Sequence, residues 1–166
     1  MSDFKIIGPV TFDQAIDETS AYKKAPLGMI VQAEDQASTD YGIGEFIYLV
    51  GVASTAVGEC VTYDAGGFTT ARAAADAVGG IALAMSANVA SQYGWYQIQG
   101  RGVVKGLASL AADKLCYLTS TAGSVDDAVV AGDAIHFMET TSALDTPSTG
   151  LAEVTMIRPF VTNESN

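Results

Sequence analysis

Histidine occurs once in this chain, cysteine twice, and Lys and Arg together only eight times in 166 residues. Each scarcity removes a class of function. The single imidazole, His136, sits inside the apolar run Ala134-Ile135-His136-Phe137-Met138, where such a residue is a satisfied structural group far more often than a general base. No Gly-x-Ser-x-Gly elbow is present, so an acyl-transfer nucleophile has no sequence support. One His and two distant Cys lack the local ligand spacing of a zinc site. Asp126, Asp127 and Asp133 carry oxygen ligands but not the EF-hand pattern, and turn chemistry accounts for them better. Gly42-Ile43-Gly44 begins like a dinucleotide fingerprint, yet Ile47 stands where the third Gly belongs and no β-α unit surrounds it. No catalytic residue, metal or cofactor is therefore expected, and the chain reads as a non-enzyme.

The shortage of cations leaves a net charge of −11. Phosphate recognition depends on Lys and Arg, so nucleic acid is not an expected partner, and an anionic membrane surface is disfavoured for the same reason. Like copies repel, and any self-association has to overcome that repulsion by apolar packing. No uninterrupted apolar run reaches the roughly 18 residues that cross a bilayer. Residues 1–10 lack the basic and apolar regions of an export signal, so synthesis and initial residence in the cytoplasm are expected.

What is present is apolar and small. Hydrophobic residues make up 49% of the chain, with Ala and Val prominent and Gly occurring 17 times, which suits one compact domain of thin sheets and tight turns. Cys60 and Cys116 lie in apolar strand-like runs and read as buried reduced thiols.

Along the chain, the first segment is the least regular: Phe4, Ile6, Ile7 and Val10 precede a polar stretch over 13–24 and a short apolar run over 27–31. Residues 1–44 read as an N-terminal arm with one or two short strands, of the kind that packs on a partner rather than on its own core. From Glu45 the pattern becomes short β-type runs separated by Gly, Asp, Asn and Ser: 46–52, 57–63, 81–86, 93–99, 103–106, 115–119, 125–130, 134–139 and 153–160. Gly100-Arg101-Gly102 looks like a tight reversal that makes 93–106 a hairpin. The Ala-rich stretch 69–77, stopped by Gly79-Gly80, is the one plausible helix. Pro159 implies that the last strand lies at an edge or ends there. The expected architecture is all-β: a small β-barrel or β-sandwich of short antiparallel strands over 45–161, with the arm, at most one short helix, and a frayed tail over 162–166.

Tyr93, Trp95 and Tyr96 are the one concentration of large amphipathic side chains, open to three readings: a core strand, an intersubunit anchor, or a carbohydrate platform. Together with Arg101, Arg158, Phe160, Phe4 and Ile6 they form the candidate interface with a subunit or other partner.

Several segments in combination resemble small decoration proteins encoded beside the major capsid protein of tailed phages and prophages. They are Gly51-Val52-Ala53-Ser54-Thr55-Ala56-Val57-Gly58, Val61-Thr62-Tyr63-Asp64, Ile81-Ala82-Leu83-Ala84-Met85-Ser86, Tyr93-Gly94-Trp95-Tyr96-Gln97-Ile98-Gln99-Gly100, Thr121-Ala122-Gly123-Ser124-Val125-Asp126-Asp127-Ala128 and Met156-Ile157-Arg158-Pro159-Phe160. They span about 45–160 and leave the arm outside. The resemblance implies a β-barrel or β-sandwich that forms homotrimers and binds the outer face of an expanded capsid at threefold and quasi-threefold positions, with the major capsid protein as partner. A head-fibre, tail or adhesin-like virion subunit, and a carbohydrate-binding β-sandwich module, are the alternatives.

Overall fold

In the computed structural model, which describes residues 3–164, twelve antiparallel strands form one sheet that does not close on itself. The strands are β1 (Phe4–Ile7), β2 (Thr19–Ser20), β3 (Ile30–Asp35), β4 (Ile43–Val50), β5 (Cys60–Tyr63), β6 (Thr70–Arg72), β7 (Gly79–Ala84), β8 (Tyr93–Lys105), β9 (Leu115–Leu118), β10 (Val125–Asp126), β11 (Ala134–Thr140) and β12 (Leu151–Val161). Their main order is β1-β3-β4-β8-β7-β12-β11-β9-β10, with β2 on β8, β5 on β7 and β6 on β5. No helix occurs among the described residues. The all-β class expected from the sequence is the one observed, and the curled sheet is consistent with a sandwich or small barrel.

The core follows from strands that bury both faces. In β4, Phe46 and Tyr48 point to one side and pack with Trp95, while Ile47 and Leu49 point to the other and pack with Tyr96 and Ile98. This two-sided burial explains why β4 reads as an unbroken apolar run. A third cluster, including Cys60, Leu83, Val104, Cys116, Leu118, Ile135, Met138, Val154 and Met156, fills the space under β5, β7, β9, β11 and β12.

Four expectations need correction. The segment 1–44 is not a separate arm: β1 pairs with β3 over Phe4↔Asp35 to Ile7↔Gln32, and β3 pairs with β4 over Ile30↔Ile47 to Glu34↔Ile43. Phe4, Ile16, Ala25, Ala33 and Tyr41 are buried. Buried Gln14 accepts the Tyr48 hydroxyl proton at 2.6 Å and donates Nε2 to the Tyr93 carbonyl at 2.9 Å, and the Tyr41 hydroxyl donates to Glu153 at 3.0 Å. These few polar links and one aromatic layer, invisible in a low-periodicity stretch, bind the segment to the sheet.

The hairpin over 93–106 is instead one 13-residue strand. Gly100 takes φ +103 and bends the strand without reversing it. Buried Gln97 braces the bend by donating Nε2 to the carbonyls of Gln99 and Arg101 at 3.2 and 2.8 Å. Before the bend β8 lies between β4 and β7; beyond it β8 pairs with β12 over Ile157↔Gln99 to Leu151↔Lys105.

The stretch 69–77 is not helical. Thr70–Arg72 pairs with β5, and the Arg72 side chain is drawn to Glu59, so sheet pairing satisfies backbone groups that a two-turn helix would leave at a high nucleation cost. Finally, β12 is internal at Pro159 and continues to Val161; the imino ring falls in a bulge, where its missing donor breaks no ladder bond. Of the tail expected over 162–166, residues 162–164 lie outside any strand, while residues 165 and 166 lie outside the described residues.

Candidate functional site

Of the large apolar side chains that the fold leaves exposed, Val129, Val130, Phe137, Ile157 and Phe160 gather on the outer face of β9, β11 and β12, while Val10, Tyr22, Ile30, Ile43, Val78 and Val89 lie on other elements. The cause is local. Between the aligned pairs His136↔Phe160 and Met138↔Met156, the single residue Phe137 of β11 opposes Ile157, Arg158 and Pro159 of β12. Phe137 and Arg158 adopt left-handed conformations, with φ +63 and +44. This double irregularity breaks the period-2 alternation. His136 and Phe137 are consecutive yet neither enters the core, while Ile135 and Met138 are fully buried; Ile157 and Arg158 are likewise both exposed between Met156 and the buried Pro159. Left-handed backbone at a bulky aromatic costs about 1–2 kcal/mol and persists only where the surrounding structure holds it, as it does at Phe137 and again at Phe68.

Phe137 is 64% and Ile157 62% exposed. The Phe160 ring stacks on the His136 imidazole with centroids 4.9 Å apart, and Phe137 leans on Phe160 at 5.9 Å. An open groove of about 210 Å³ runs between Phe137, Glu139, Thr155 and Ile157. A second groove, about 260 Å³, lies between Tyr117, His136, Val129, Val130 and Glu164, with Val129 on its rim 80% exposed. The run 125–130, expected as a strand, pairs only over Val125–Asp126, and its remaining residues loop outward to present those valines.

The candidate interface residues divide between surface and core. Phe160 and Arg158 lie on this face, with Arg158 donating to Glu45 at 2.7 Å. Arg101 stands opposite Thr155 on the adjoining strand, paired with Glu153 at 2.9 Å. The other five lie elsewhere. Trp95 is wholly buried between Phe12 and Tyr48, at ring distances of 5.6 and 4.8 Å. Tyr93 is half-buried and stacks on Tyr48 at 6.3 Å. Tyr96 is buried on the opposite side of the strand, and burial pushes its hydroxyl up to about 12. Phe4 meets Phe46 edge to face at 4.9 Å, and Ile6 packs half-buried beside it. Trp95 and Tyr96 are therefore core, which removes the carbohydrate platform and the anchor built on them. The core-strand reading of these residues is the observed one.

Phe137, Ile157, Val129 and Val130 were not singled out from sequence. The sequence carries no local signal for them: Ile135-His136-Phe137-Met138 is as continuous a run as Phe46-Ile47-Tyr48-Leu49, whose four side chains are all buried.

The densest titratable group elsewhere is fully satisfied. Glu59, 1% exposed, accepts from Arg72 Nε and Nη2, both at 2.7 Å, from Lys105 Nζ at 2.8 Å and from the Ala56 N–H at 3.3 Å. Burial alone would raise this carboxyl; the hydrogen bonds from Arg72 and Lys105 outweigh it and hold the pKa below the usual value. A carboxylate so enclosed is a structural anion. Cys60 and Cys116 are free and buried, and burial raises both thiols, Cys116 to about 12. Among the described residues no three His, Cys, Asp or Glu side chains gather where they could hold a metal ion.

Comparison with protein-family models, curated proteins and solved structures finds no match to this chain.

Proposed function

We propose that this protein is a non-enzymatic structural component of a tailed-phage virion, a decoration or cement protein. In this reading it docks on the outer surface of the capsid and stabilises the shell by bridging neighbouring major capsid proteins, as a homotrimer. The observation that carries a docking role is the gathering of Val129, Val130, Phe137, Ile157 and Phe160 on one face of the sheet. Concentrated apolar exposure on an otherwise acidic surface marks a contact site. The particular partner comes from the resemblance of the segments between 45 and 160 to phage decoration proteins. Small contacts repeated over many copies on a shell give strong retention through multivalency.

The test is sedimentation with undecorated, expanded capsids of the phage that carries the gene. Saturable co-sedimentation, together with a higher temperature of shell disruption, is the expected result. A protein that stays in the supernatant at several-fold excess refutes the assignment. Native mass measurement addresses the trimer separately, and a monomer throughout removes that part.

A further inference from the structure

We propose that the face built around Phe137 is the docking surface itself, and that it fits a cationic protein surface with an apolar centre rather than a second copy of this chain. The inference rests on the docking role above and adds what chemistry the partner presents to that face.

Charge selects the occupant. Lys5, Lys24, Arg72, Arg101, Lys105 and Arg158, six of the eight cationic side chains, are each held by a carboxylate of the same chain. Nineteen carboxylates stand against those eight cations, and most are left to face solvent unpaired. The face repeats this imbalance locally. Exposed Glu139 and Glu164 border its two grooves, and its own cation, Arg158, is engaged by Glu45 at 2.7 Å. Among the described residues Lys114, exposed just before Leu115 and outside the ion pairs, is the one free cation beside the face, so two such faces would bring together two copies of net charge −11 with a single lysine from each to offset Glu139 and Glu164. A partner with Lys or Arg around an apolar side chain meets the carboxylates at the rim and fills the groove between Phe137 and Ile157.

The backbone supports the same assignment. The left-handed residues Phe137 and Arg158 hold the aromatic ring outward before any partner arrives, so little side-chain freedom is lost on docking. Phe137 leans on Phe160, which in turn stacks on His136, giving a knob braced from one side and open on the other.

Three variants test this against the same undecorated capsids. Phe137→Gly removes the ring while relieving the positive φ, so loss of binding cannot be attributed to misfolding. Ile157→Ser empties the other wall of the groove, and Glu139→Lys reverses the rim charge. The expected result is weakening by at least about tenfold for each apolar variant, with an unchanged oligomeric mass. Glu139→Lys weakens binding too, and wild-type binding falls as NaCl is raised from about 50 to 500 mM. Undiminished binding of Phe137→Gly and Ile157→Ser, with the wild type binding, overturns this inference and leaves the decoration role standing. A fall in oligomeric mass in either apolar variant shows that a second copy covers the face, and also overturns it. Failure of the wild type to bind capsids refutes the decoration role and this inference together.

Discussion

Replacing Arg72 with alanine strips a buried carboxylate of its bidentate partner. Glu59 is 1% exposed, and the variant leaves it with Lys105 at 2.8 Å, a side chain 38% exposed, and one long bond from Ala56. The carbonyl of Ala122, which accepts from Arg72 Nη2 at 2.7 Å, loses its donor as well. Removing one partner of a buried pair costs about 3–5 kcal/mol. Because Arg72 is itself 27% exposed and Lys105 remains, a loss of about 2–4 kcal/mol is expected. In a domain of this size that lowers Tm by about 5–15 °C.

The pH dependence identifies the cause. In the wild type the folded pKa of Glu59 lies below the unfolded value, so its contribution is fully present above about pH 4.5 and is lost as pH falls through the lowered pKa. In the variant burial is less opposed and the carboxyl shifts upward, so acidification relieves the uncompensated charge. The gap between variant and wild type, measured by urea unfolding with far-UV circular dichroism, should be largest near pH 7 and shrink towards pH 4. A gap below about 1 kcal/mol, or one equal at both pH values, refutes the reasoning. Replacing Glu59 and Arg72 together with methionine should recover stability relative to Arg72→Ala, because no unpaired buried charge is left.

Other consequences follow from packing. Trp95→Ala removes the largest fully buried side chain and should cost about 3–5 kcal/mol, and the wild-type indole, the only one in the chain, should show blue-shifted fluorescence. Gly28 has φ +76, and a Cβ there would run into the Phe68 ring, so Gly28→Ala should lower stability by about 1–3 kcal/mol in the same urea assay. Cys60 and Cys116 should resist a thiol reagent at pH 8 in the native protein and react fully in denaturant; fast native labelling would contradict their burial. Deleting residues 1–39 removes β1 to β3 and uncovers Phe46, Tyr48 and Trp95, so the product should bind a hydrophobic dye and lose cooperative unfolding, whereas a cooperative, dye-free product would show the segment dispensable.

The strand-forming runs were legible because side-chain alternation, β-branched residues and Gly or Asp punctuation are local signals: the runs at 46–52, 81–86, 115–119, 134–139 and 153–160 all overlap observed strands. The errors fall where a local signal has two outcomes. Gly100 allows a reversal or a bend, and pairing of residues 99–105 with β12, some fifty positions later, selects the bend. The Ala-rich run 69–77 allows a helix or an edge strand, and the buried Glu59 draws Arg72 into the strand.

From sequence alone, then, came the all-β class, the acidity and the scarcity of His, Cys and cations, since these depend on residue identity and short spacing. Which face is covered depends on partners far along the chain. Trp95 is core because Phe12 and Tyr48 close over it. Phe137 is surface because β11 and β12 meet out of register, with one residue set against three, and among the described residues nothing folds over the ring that this turns outward. Alternation names the two sides of a strand; only long-range pairing decides which of them meets water.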